Sequence, residues 1–562
     1  MIKKILPIFL FLCITSQLFA QLEYAPVSHP VYDYLKRMSL KGIIADYNSA
    51  SLPLSRQKIS EFLIAIENAK IKLGTTDRKM LNDFMVEFSY DINNNLKKSY
   101  SLFSDFKSFS VFDNDRQKYL YAYNDSNVSF FWDATGFVSQ RSSKGDSLGN
   151  NSILLGEIGT RFRGTLFNSV GYYLRMSNGQ KIKGEKKDID FAIATNPKFK
   201  ANTKFTYENS NFDTYEGYLK YSTPNEWLSL IAGKEALTYG YGYIDKLFLS
   251  TNTVPFSFLK LDLAYKSLKY SFLYGSLKGD SLGRDIANKN IATHRLDLRV
   301  SNKLRFGFWE SLIIADNAFN FTFLNPLSFL RSADYNAGEN KPVNKNNALL
   351  GLDFEYQPIT NVSFQSSLLV DDLNFATLFN NDKEGNPGND NRFGYQIGAM
   401  WTDAFMIPAL TASVEYTKLD PFVYTHRTNK SQYTNWTLPL GHHLSPNADE
   451  IAFKLTSNIY NRLNVALTYQ HQRTASKIVM SGDTLIANYG GDINRGDGDV
   501  VRSNQFLDGD RVDKDIIKLD MTFQPIRQFF IDFEYQFIYY NLIYSSRKLK
   551  DNYFFGTLRI DF

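Results

Sequence analysis

The amino-acid sequence predicts an all-β transmembrane barrel of about 18 antiparallel strands, with a small N-terminal α-helical bundle on the periplasmic side. The main observations are strands with period-two alternation, short turns that alternate with long polar loops, and a C-terminal strand that ends on Phe562. In that last strand Phe554, Leu558 and Ile560 share one face, and Arg559 lies on the other. One face suits lipid and the other suits water, as in a membrane barrel.

The first twenty residues have the pattern of a secretory signal peptide. Lys3 and Lys4 precede an apolar run over 5–12, and a small-residue site ends at Ala20. The chain has one cysteine, Cys13, and it lies inside this segment. The mature chain is therefore expected to have no thiol, which excludes disulfides, thiolate metal sites and cysteine nucleophiles.

Composition narrows the class of protein further. After the signal segment no run of about eighteen apolar residues occurs, which excludes helical membrane spans. The aromatic content of 15% suits a wall that is apolar on alternate residues only. A net charge of +5 is too small to indicate a nucleic-acid partner, although it would tolerate an acidic ligand.

Residues 21–95 are predicted to form the helical bundle. Three stretches have the i, i+3, i+4, i+7 spacing of amphipathic helices, and Ser55 is a plausible N-cap for the second. The stripes are Val31, Tyr34, Leu35 and Met38, then Ile59, Phe62, Leu63 and Ile66, then Leu81, Phe84, Met85 and Phe88. The bundle either packs on the barrel or serves as a separate partner-binding module. A linker or inner hairpin is predicted over 96–117 and the barrel over 118–562.

The strand pattern is clearest near the C-terminus, where apolar and charged residues alternate. Phe529, Ile531 and Phe533 are interleaved with Asp532 and Glu534. In a soluble sandwich the charged face would be the outside, whereas in a barrel this large it faces the lumen and the apolar face meets lipid.

The connections between strands favour the barrel, because membrane barrels have short turns at one end and long loops at the other. Tight connections fall near residues 168, 224, 267, 302, 360, 405, 460 and 526. Polar stretches alternate strictly with them at 141–151, 179–202, 241–256, 280–291, 317–346, 374–392, 420–450, 475–512 and 545–551. This alternation implies about eighteen strands, with both ends of the barrel sequence on the periplasmic side.

Loop 420–450 is the densest group of candidate binding residues. They are Tyr424, His426, Arg427, Tyr433, Trp436, His442 and His443, with Asp449 at the exit of the loop. Aromatic faces stack on sugar rings, while Arg, His and Asp can hydrogen-bond hydroxyls or pair with acidic sugars. The alternative is a loop that folds inward on its own aromatics. Asp371 and Asp372 lie at a strand end and are predicted to be mouth charges.

No catalytic residue, cofactor or metal site is predicted, and the chain is not expected to be an enzyme. A metal site from His442 and His443 would need adjacent side chains to converge with a third ligand such as Asp449. His294 has no serine partner at usable spacing, and His471 lies on the outer face near the rim.

Several stretches, taken in order along the chain, resemble the capsule assembly protein Wzi family. They are 24–33, 53–56, 233–235, 239–242, 324–326, 369–372, 415–417, 424–426 and 439–442. Their order and spacing carry the resemblance, which spans nearly the whole mature chain. The chain departs from the family pattern at Ser445-Pro446, where a second Gly-Pro would be expected, and this leaves the identity of the ligand open.

The resemblance implies an eighteen-stranded outer-membrane barrel with a periplasmic helical bundle and extracellular long loops. It also implies a non-enzymatic, lectin-like anchor that binds capsular or other surface polysaccharide and supports capsule assembly. The expected partners are that polysaccharide, outer-membrane lipid and, through the bundle, polysaccharide export machinery, and the protein is expected to be a monomer. The alternative is an outer-membrane porin-like channel or importer. The two functions differ in whether loops such as 317–346 and 420–450 fold into the lumen and close it.

Overall fold

A closed antiparallel β-barrel forms most of the molecule in the computed structural model. The structure describes residues 21–209, 211–282, 285–315, 321–337, 346–372, 391–426, 430–482, 484–496 and 501–561. The predicted signal peptide, the candidate Arg427 and the terminal Phe562 lie outside these residues.

Within the described chain, eighteen strands make up the closed wall. In chain order, β1 to β6 are Ser129–Gly145, Asn151–Leu166, Val170–Lys183, Asn211–Ser222, Leu228–Glu235 and Phe256–Tyr265. Strands β7 to β12 are Leu268–Leu282, Asp285–Arg299, Leu304–Ala315, Asn347–Ile359, Val362–Asp372 and Arg392–Thr402. Strands β13 to β18 are Leu410–Leu419, Ala448–Tyr460, Leu463–Ser476, Asp510–Ile526, Phe529–Leu542 and Arg547–Asp561.

The barrel closes where β18 pairs antiparallel with β1, from Asp551 opposite Gly145 to Asp561 opposite Thr135. Closure leaves no unpaired strand edge, which is what a spanning sheet requires. The predicted fold class and strand number are confirmed. The wall begins at Ser129 rather than at residue 118, because Tyr121–Asn124 forms only a short extra strand against the start of β1.

Side chains alternate between the two faces of each wall strand. On β9, Phe306 and Phe308 are exposed on the outside, whereas Arg305 and Trp309 are buried on the lumen side. On β18, Leu558 is exposed outside. The outside is therefore an apolar belt and the inside carries the charged residues.

The connections define two ends of the barrel. All eight predicted tight connections join consecutive strands at one end, which we call the short-turn end. The longer connections lie at the opposite, long-loop end. The polar stretch 280–291 was predicted as a loop, and this is wrong, because β7 continues to Leu282 and β8 begins at Asp285.

Four helices cover the short-turn end. The apolar stripes of α1 to α3 pack into one core as predicted, and the N–H of Lys58 donates to Ser55 Oγ at 3.1 Å, so Ser55 caps α2. The helices are α1 Val31–Leu40, α2 Arg56–Asn68, α3 Thr75–Glu87 and α4 Ser89–Asn93.

The other helices are α5 Lys186–Thr195, α6 Thr203–Glu208 and α7 Leu330–Ala337. None of the helices in the described residues is both long and apolar enough to cross a membrane. Between the bundle and the wall, Ser99–Ser101 pairs in parallel with Gln117–Tyr119. The chain between these two short strands therefore forms a loop, and the two strands do not form an antiparallel hairpin.

Candidate functional site

The connection between β5 and β6, residues 236–255, folds into the barrel and occupies the lumen. Its short strand Thr238–Tyr239 pairs with Ser51–Leu52 of the helical segment at the short-turn end. Its Phe248 ring stacks on Trp309 of the inner wall, with centroids 4.1 Å apart and ring planes inclined by 3°. We call residues 236–255 the inner loop. It is held by both the bundle and the wall.

A buried carboxylate on β13 anchors the polar part of the inner loop. Glu415 accepts backbone N–H groups from Tyr243 at 2.7 Å and Asp245 at 3.1 Å. The side-chain amides of Gln365 and Gln396 each donate to the same carboxylate at 3.0 Å. These bonds satisfy a carboxyl group that would otherwise be expensive to bury.

The loop between β13 and β14 also folds inward, onto the inner loop. Tyr424 and Tyr433 are fully buried, and their rings stack with centroids 5.4 Å apart. The Tyr424 hydroxyl donates to the carbonyl of Leu247 at 2.6 Å, and that of Tyr433 donates to the carbonyl of Phe248 at 3.0 Å. Both tyrosines lie in the core of this closure, where an external polymer cannot reach them.

His442 and His443 lie beside Asp245 at the same closure. His443 contacts the Asp245 carboxylate through Nδ1 at 2.7 Å and the Glu450 carboxylate through Nε2 at 3.0 Å. Burial alone would lower the pKa of His443, but Glu450 and Asp245 outweigh burial and hold that pKa well above its ordinary value. Burial, with the neighbouring His443, lowers the pKa of His442 to about 4.

Asp245, His442 and His443 place possible metal-ligand atoms within 4.8 Å of one another. Both nitrogens of His443 are engaged by carboxylates and Nδ1 of His442 accepts the N–H of Leu444 at 3.2 Å, while Nε2 of His442 is buried with no hydrogen-bond partner in the described structure. The arrangement fits an ion-pair network. The ligand considered from the sequence, Asp449, lies elsewhere and pairs with Arg473 at 2.5 Å.

The remaining predicted site residues lie in different places and do not form one site. His426 is half-buried and its Nδ1 lies 3.1 Å from the Ser431 hydroxyl, and Trp436 is half-buried at the long-loop end. Asp371 is buried and accepts the N–H of Tyr424 at 2.5 Å. Asp372 pairs with Arg392 at 3.4 Å, so the two mouth charges belong to the closure and its rim.

A second inward-folded segment, between β3 and β4, was not singled out from the sequence. Its α5 packs Ile189 and Phe191 against the inner wall, and Phe205 of α6 joins the same core. The polar side of the segment, together with Lys183 at the end of β3, exposes six lysines against three exposed acids, Glu185, Asp190 and Glu208. We call these lysines the lysine surface: Lys183, Lys186, Lys187, Lys198, Lys200 and Lys204.

The lysine surface adjoins the inward-folded β13–β14 loop. Lys200 Nζ lies 3.5 Å from Thr437 Oγ1, next to Trp436. In the sequence Trp436 precedes Thr437, and the 73% exposed Tyr207 lies three residues after Lys204. The run of lysines over 181–204 is the sequence signal for this surface, and most of it lies in a stretch predicted only as a polar loop.

The stretch 317–346 does not fold into the lumen where the structure describes it. Residues 321–337 instead lie on the outer face of the wall, over β7 to β10. Of the two stretches whose folding into the lumen separates an anchor from a channel, 420–450 folds inward and the described part of 317–346 does not.

Comparison with known protein families shows which family the chain belongs to. The family model of the capsule assembly protein Wzi matches residues 156–496. The chain belongs to the Wzi family. The match includes the inner loop, the lysine surface and the whole of the inward-folded β13–β14 loop.

Two solved structures are similar to this Wzi-family chain, and the first of them shares its fold. One is described as Wzi, an outer-membrane protein involved in group 1 capsule assembly in Escherichia coli and a carbohydrate-binding β-barrel; it is 13% identical, with 96% of this chain and 99% of that chain covered and a TM-score of 0.54. OccAB2 of Acinetobacter baumannii is 10% identical, with 77% and 98% covered and a TM-score of 0.45. No curated protein matches the chain.

Family membership and fold together confirm the resemblance inferred from the sequence. They also support the outer-membrane location of this Wzi-family barrel. The outward apolar belt is the surface that this location requires, because lipid surrounds such a wall at the height of its strands.

Proposed function

We propose that this Wzi-family barrel binds an acidic polysaccharide at its long-loop end and helps to hold capsular polymer at the cell surface. In this proposal the long loops face the exterior and the helical bundle lies in the periplasm, where it can meet export machinery. The protein acts as a monomer and without catalysis.

The observation that carries the proposal is the closed lumen beneath an exposed lysine surface. The tyrosines, histidines and carboxylates of the inner loop and the β13–β14 loop form hydrogen bonds between the two loops, so these groups help to close the lumen. Lys186, Lys200 and Lys204 are exposed at the long-loop end instead. A polymer is therefore held on top of the barrel rather than passed through it.

The charge balance of this surface selects the ligand class. Six exposed lysines against three exposed acids favour carboxylated or otherwise anionic sugar units. Exposed lysine contacts are individually weak, and a repeating polymer that meets several of them gains from multivalency. Trp436 and Tyr207 offer ring faces on which sugar rings can stack.

Binding of purified full chain to acidic and neutral capsular polysaccharides tests the proposal. Changing Lys186, Lys200 and Lys204 to Gln removes three charges from the surface and should weaken binding of the acidic polymer about tenfold at low salt. The matched control changes Lys72, Lys79 and Lys107 to Gln, which removes the same charge at the short-turn end. Equal losses in both triple variants, or equal binding of neutral polymer, would contradict the proposal.

Two further measurements separate an anchor from a channel. In a planar bilayer the purified protein should give no large steady current, since the inner loop and the β13–β14 loop meet across the lumen. In cells, deletion of the gene should leave polymer synthesis intact and release polymer into the medium. A large steady current, or unchanged attachment of polymer, would count against the anchor.

A further inference from the structure

Residues 321–337, which we call the strap, lie against the outside of the barrel. On β9 the even-numbered side chains point outward, and Phe306 and Phe308 are exposed there. Further along the same outward stripe, Glu310, Leu312 and Ile314 are buried. They are buried because the strap covers them.

Apolar contacts form part of this interface. Phe323 and Leu330 of the strap are almost completely buried and share a core with outward side chains of the wall. The wall residues in that core are Phe272, Tyr274, Ala292, Leu312, Ile314 and Ala348. The core spans four neighbouring strands, so the strap is packed along the wall rather than touching it at one point.

A polar latch lies in the middle of the interface. The Glu310 carboxylate, with no exposed surface, accepts the N–H groups of Leu330 at 2.8 Å and Arg331 at 2.7 Å, which begin α7. His294 Nε2 lies 2.7 Å from the same carboxylate. The Tyr270 hydroxyl contacts His294 Nδ1 at 3.2 Å and donates to the carbonyl of Pro326.

This latch occupies an unusual position for a membrane barrel. Glu310 and His294 belong to the outward stripes of β9 and β8, where Leu296 and Phe308 are neighbours in the apolar belt. An ionised carboxylate on that face is unfavourable in hydrocarbon unless it is covered and hydrogen-bonded. The strap provides both conditions, through its apolar side chains and the N-terminus of α7.

Three apolar side chains of the strap are exposed, beside the exposed polar Thr322, Asn325 and Ser332. Leu327 is 87% exposed, Phe321 is 80% exposed and Phe329 is 47% exposed. The strap lies on the outer face of the wall, where the outward side chains Phe306, Phe308 and Leu352 are also exposed. This outer apolar face is the one that lipid covers in an outer-membrane barrel.

We propose that the strap is a membrane-contacting element whose exposed apolar side chains insert among lipid acyl chains, while Glu310 latches it to the wall. The strap thus adds a lateral lipid contact to the barrel. The proposal depends on the outer-membrane location and not on the polysaccharide, so it stands or falls separately from the sugar-binding function.

Spin-label accessibility in proteoliposomes tests the proposal. Cys13→Ser removes the only cysteine, so a label placed by Leu327→Cys in the full chain is unique. The label at 327 should be relaxed several-fold more by oxygen, which concentrates in hydrocarbon, than by a water-soluble nickel chelate. Leu558→Cys, on the outward face of β18, is the lipid control, and Ile71→Cys, 93% exposed in the bundle, is the water control.

Each outcome at position 327 is decisive. A label that behaves like the one at 558 supports insertion, and a label that behaves like the one at 71 overturns it. Protection from both reagents would indicate a second copy or another protein on the strap and would also overturn it.

The latch is tested in the same labelled protein by Glu310→Gln. The amide keeps the shape of the side chain but loses the charge that accepts two N–H groups and faces His294. The label at 327 should then move faster. Glu157→Gln, on a lumen-facing carboxylate near Arg175, is the matched control and should leave the label unchanged. Unchanged label motion in the Glu310→Gln variant would overturn the latch.

Discussion

His443 shows how single side chains close the lumen. Both nitrogens of its ring face carboxylates, from Asp245 and Glu450, so the imidazole donates twice and is positively charged. Its neighbour His442 is fully buried and uncharged at neutral pH, because its pKa is lowered to about 4. Adjacent residues of one type therefore have opposite electrostatic states.

The raised pKa of His443 fixes the pH range in which it stabilises the closure. Its stabilising effect is fully present below the unfolded-state pKa of about 6.5 and is lost only as pH rises through the higher folded-state pKa. His442 has the opposite dependence, and its effect is lost as pH falls from about 6.5 through 4. Protection of the inner loop from hydrogen exchange should therefore persist at neutral pH and decline in acid.

Replacing His443 by Gln should weaken the closure at neutral pH. The variant leaves Asp245 and Glu450 without their cation, and local opening of 236–255 should become easier by about 1–3 kcal/mol. Hydrogen exchange of the inner-loop amides measures this change. His426→Gln is the control, because the Nδ1 of that half-buried ring lies 3.1 Å from the Ser431 hydroxyl of its own loop. Equal protection in both variants would show that the ion pairs add nothing.

Residue types in loop 420–450 did not reveal their roles. Aromatic and basic side chains suit a sugar site and suit an inward-folded core equally well, and Tyr424 and Tyr433 turned out to be buried. What separates the two is the contact with Leu247 and Phe248, which are about 180 residues away in the chain. Local spacing contains no information on a contact that distant.

At the scale of elements, the inner loop is the decisive segment. Its strands β5 and β6 were predicted because period-two alternation is a local pattern, but the segment between them was predicted only as an outer loop. Its composition offered one signal, since Leu247, Phe248 and Leu249 are consecutive apolar residues in a supposed surface loop. Such a run requires burial, and the lumen provides it.

Truncating the ring that fixes the inner loop should loosen it. Phe248→Ala removes the stack on Trp309 and leaves a cavity in the lumen core, with an expected loss of about 3–5 kcal/mol in local stability. Bilayer recordings should then show brief openings that the unchanged protein lacks. Phe308→Ala, on the outward face of the same wall strand as Trp309, is the control and should show no openings. The absence of openings in both variants, with unchanged hydrogen exchange, would contradict this role of Phe248.

At the scale of the molecule, salt bridges join the bundle to the barrel at separated points. Asp83 of α3 pairs with Arg462 at 2.7 Å and Arg527 at 2.8 Å, in two turns of the short-turn end. Glu23 pairs with Arg163 of β2 at 2.9 Å. The attachments involve β2 and the β14–β15 and β16–β17 turns, so the bundle is held at more than one point of the rim.

Asp83→Asn should loosen the seat of α3 without unfolding the wall. Two arginines lose their shared carboxylate, and the free energy of local opening should fall by about 1–3 kcal/mol. Faster hydrogen exchange in α3, with heat-modifiable migration of the barrel unchanged, is the expected result. Glu61→Gln on α2, whose described partner is the exposed Lys58, provides the control. Equal exchange in α3 of both variants would show that the Asp83 contacts do not hold the bundle.

The number of strands was predictable because it follows from counting turns, and the faces of each strand follow from the solvent on each side. The lysine surface and the strap were not predictable in this way. Each depends on which side of the wall a long connection folds against, and residues 321–337 folded outside while 236–255 folded inside. That choice is made by tertiary contacts that the alternation pattern does not encode.

The seating of the bundle has a consequence for biogenesis. The N-terminal segment is synthesised first, but its partners on the barrel come later in the chain. Glu23 pairs with Arg163, and Asp83 pairs with Arg462 and Arg527, which lie near the C-terminal end. Its docking surface does not exist until the final hairpins have assembled, so docking comes late and an early-stalled chain leaves the bundle unattached. An undocked bundle is thus a marker that separates incompletely inserted chains from finished ones.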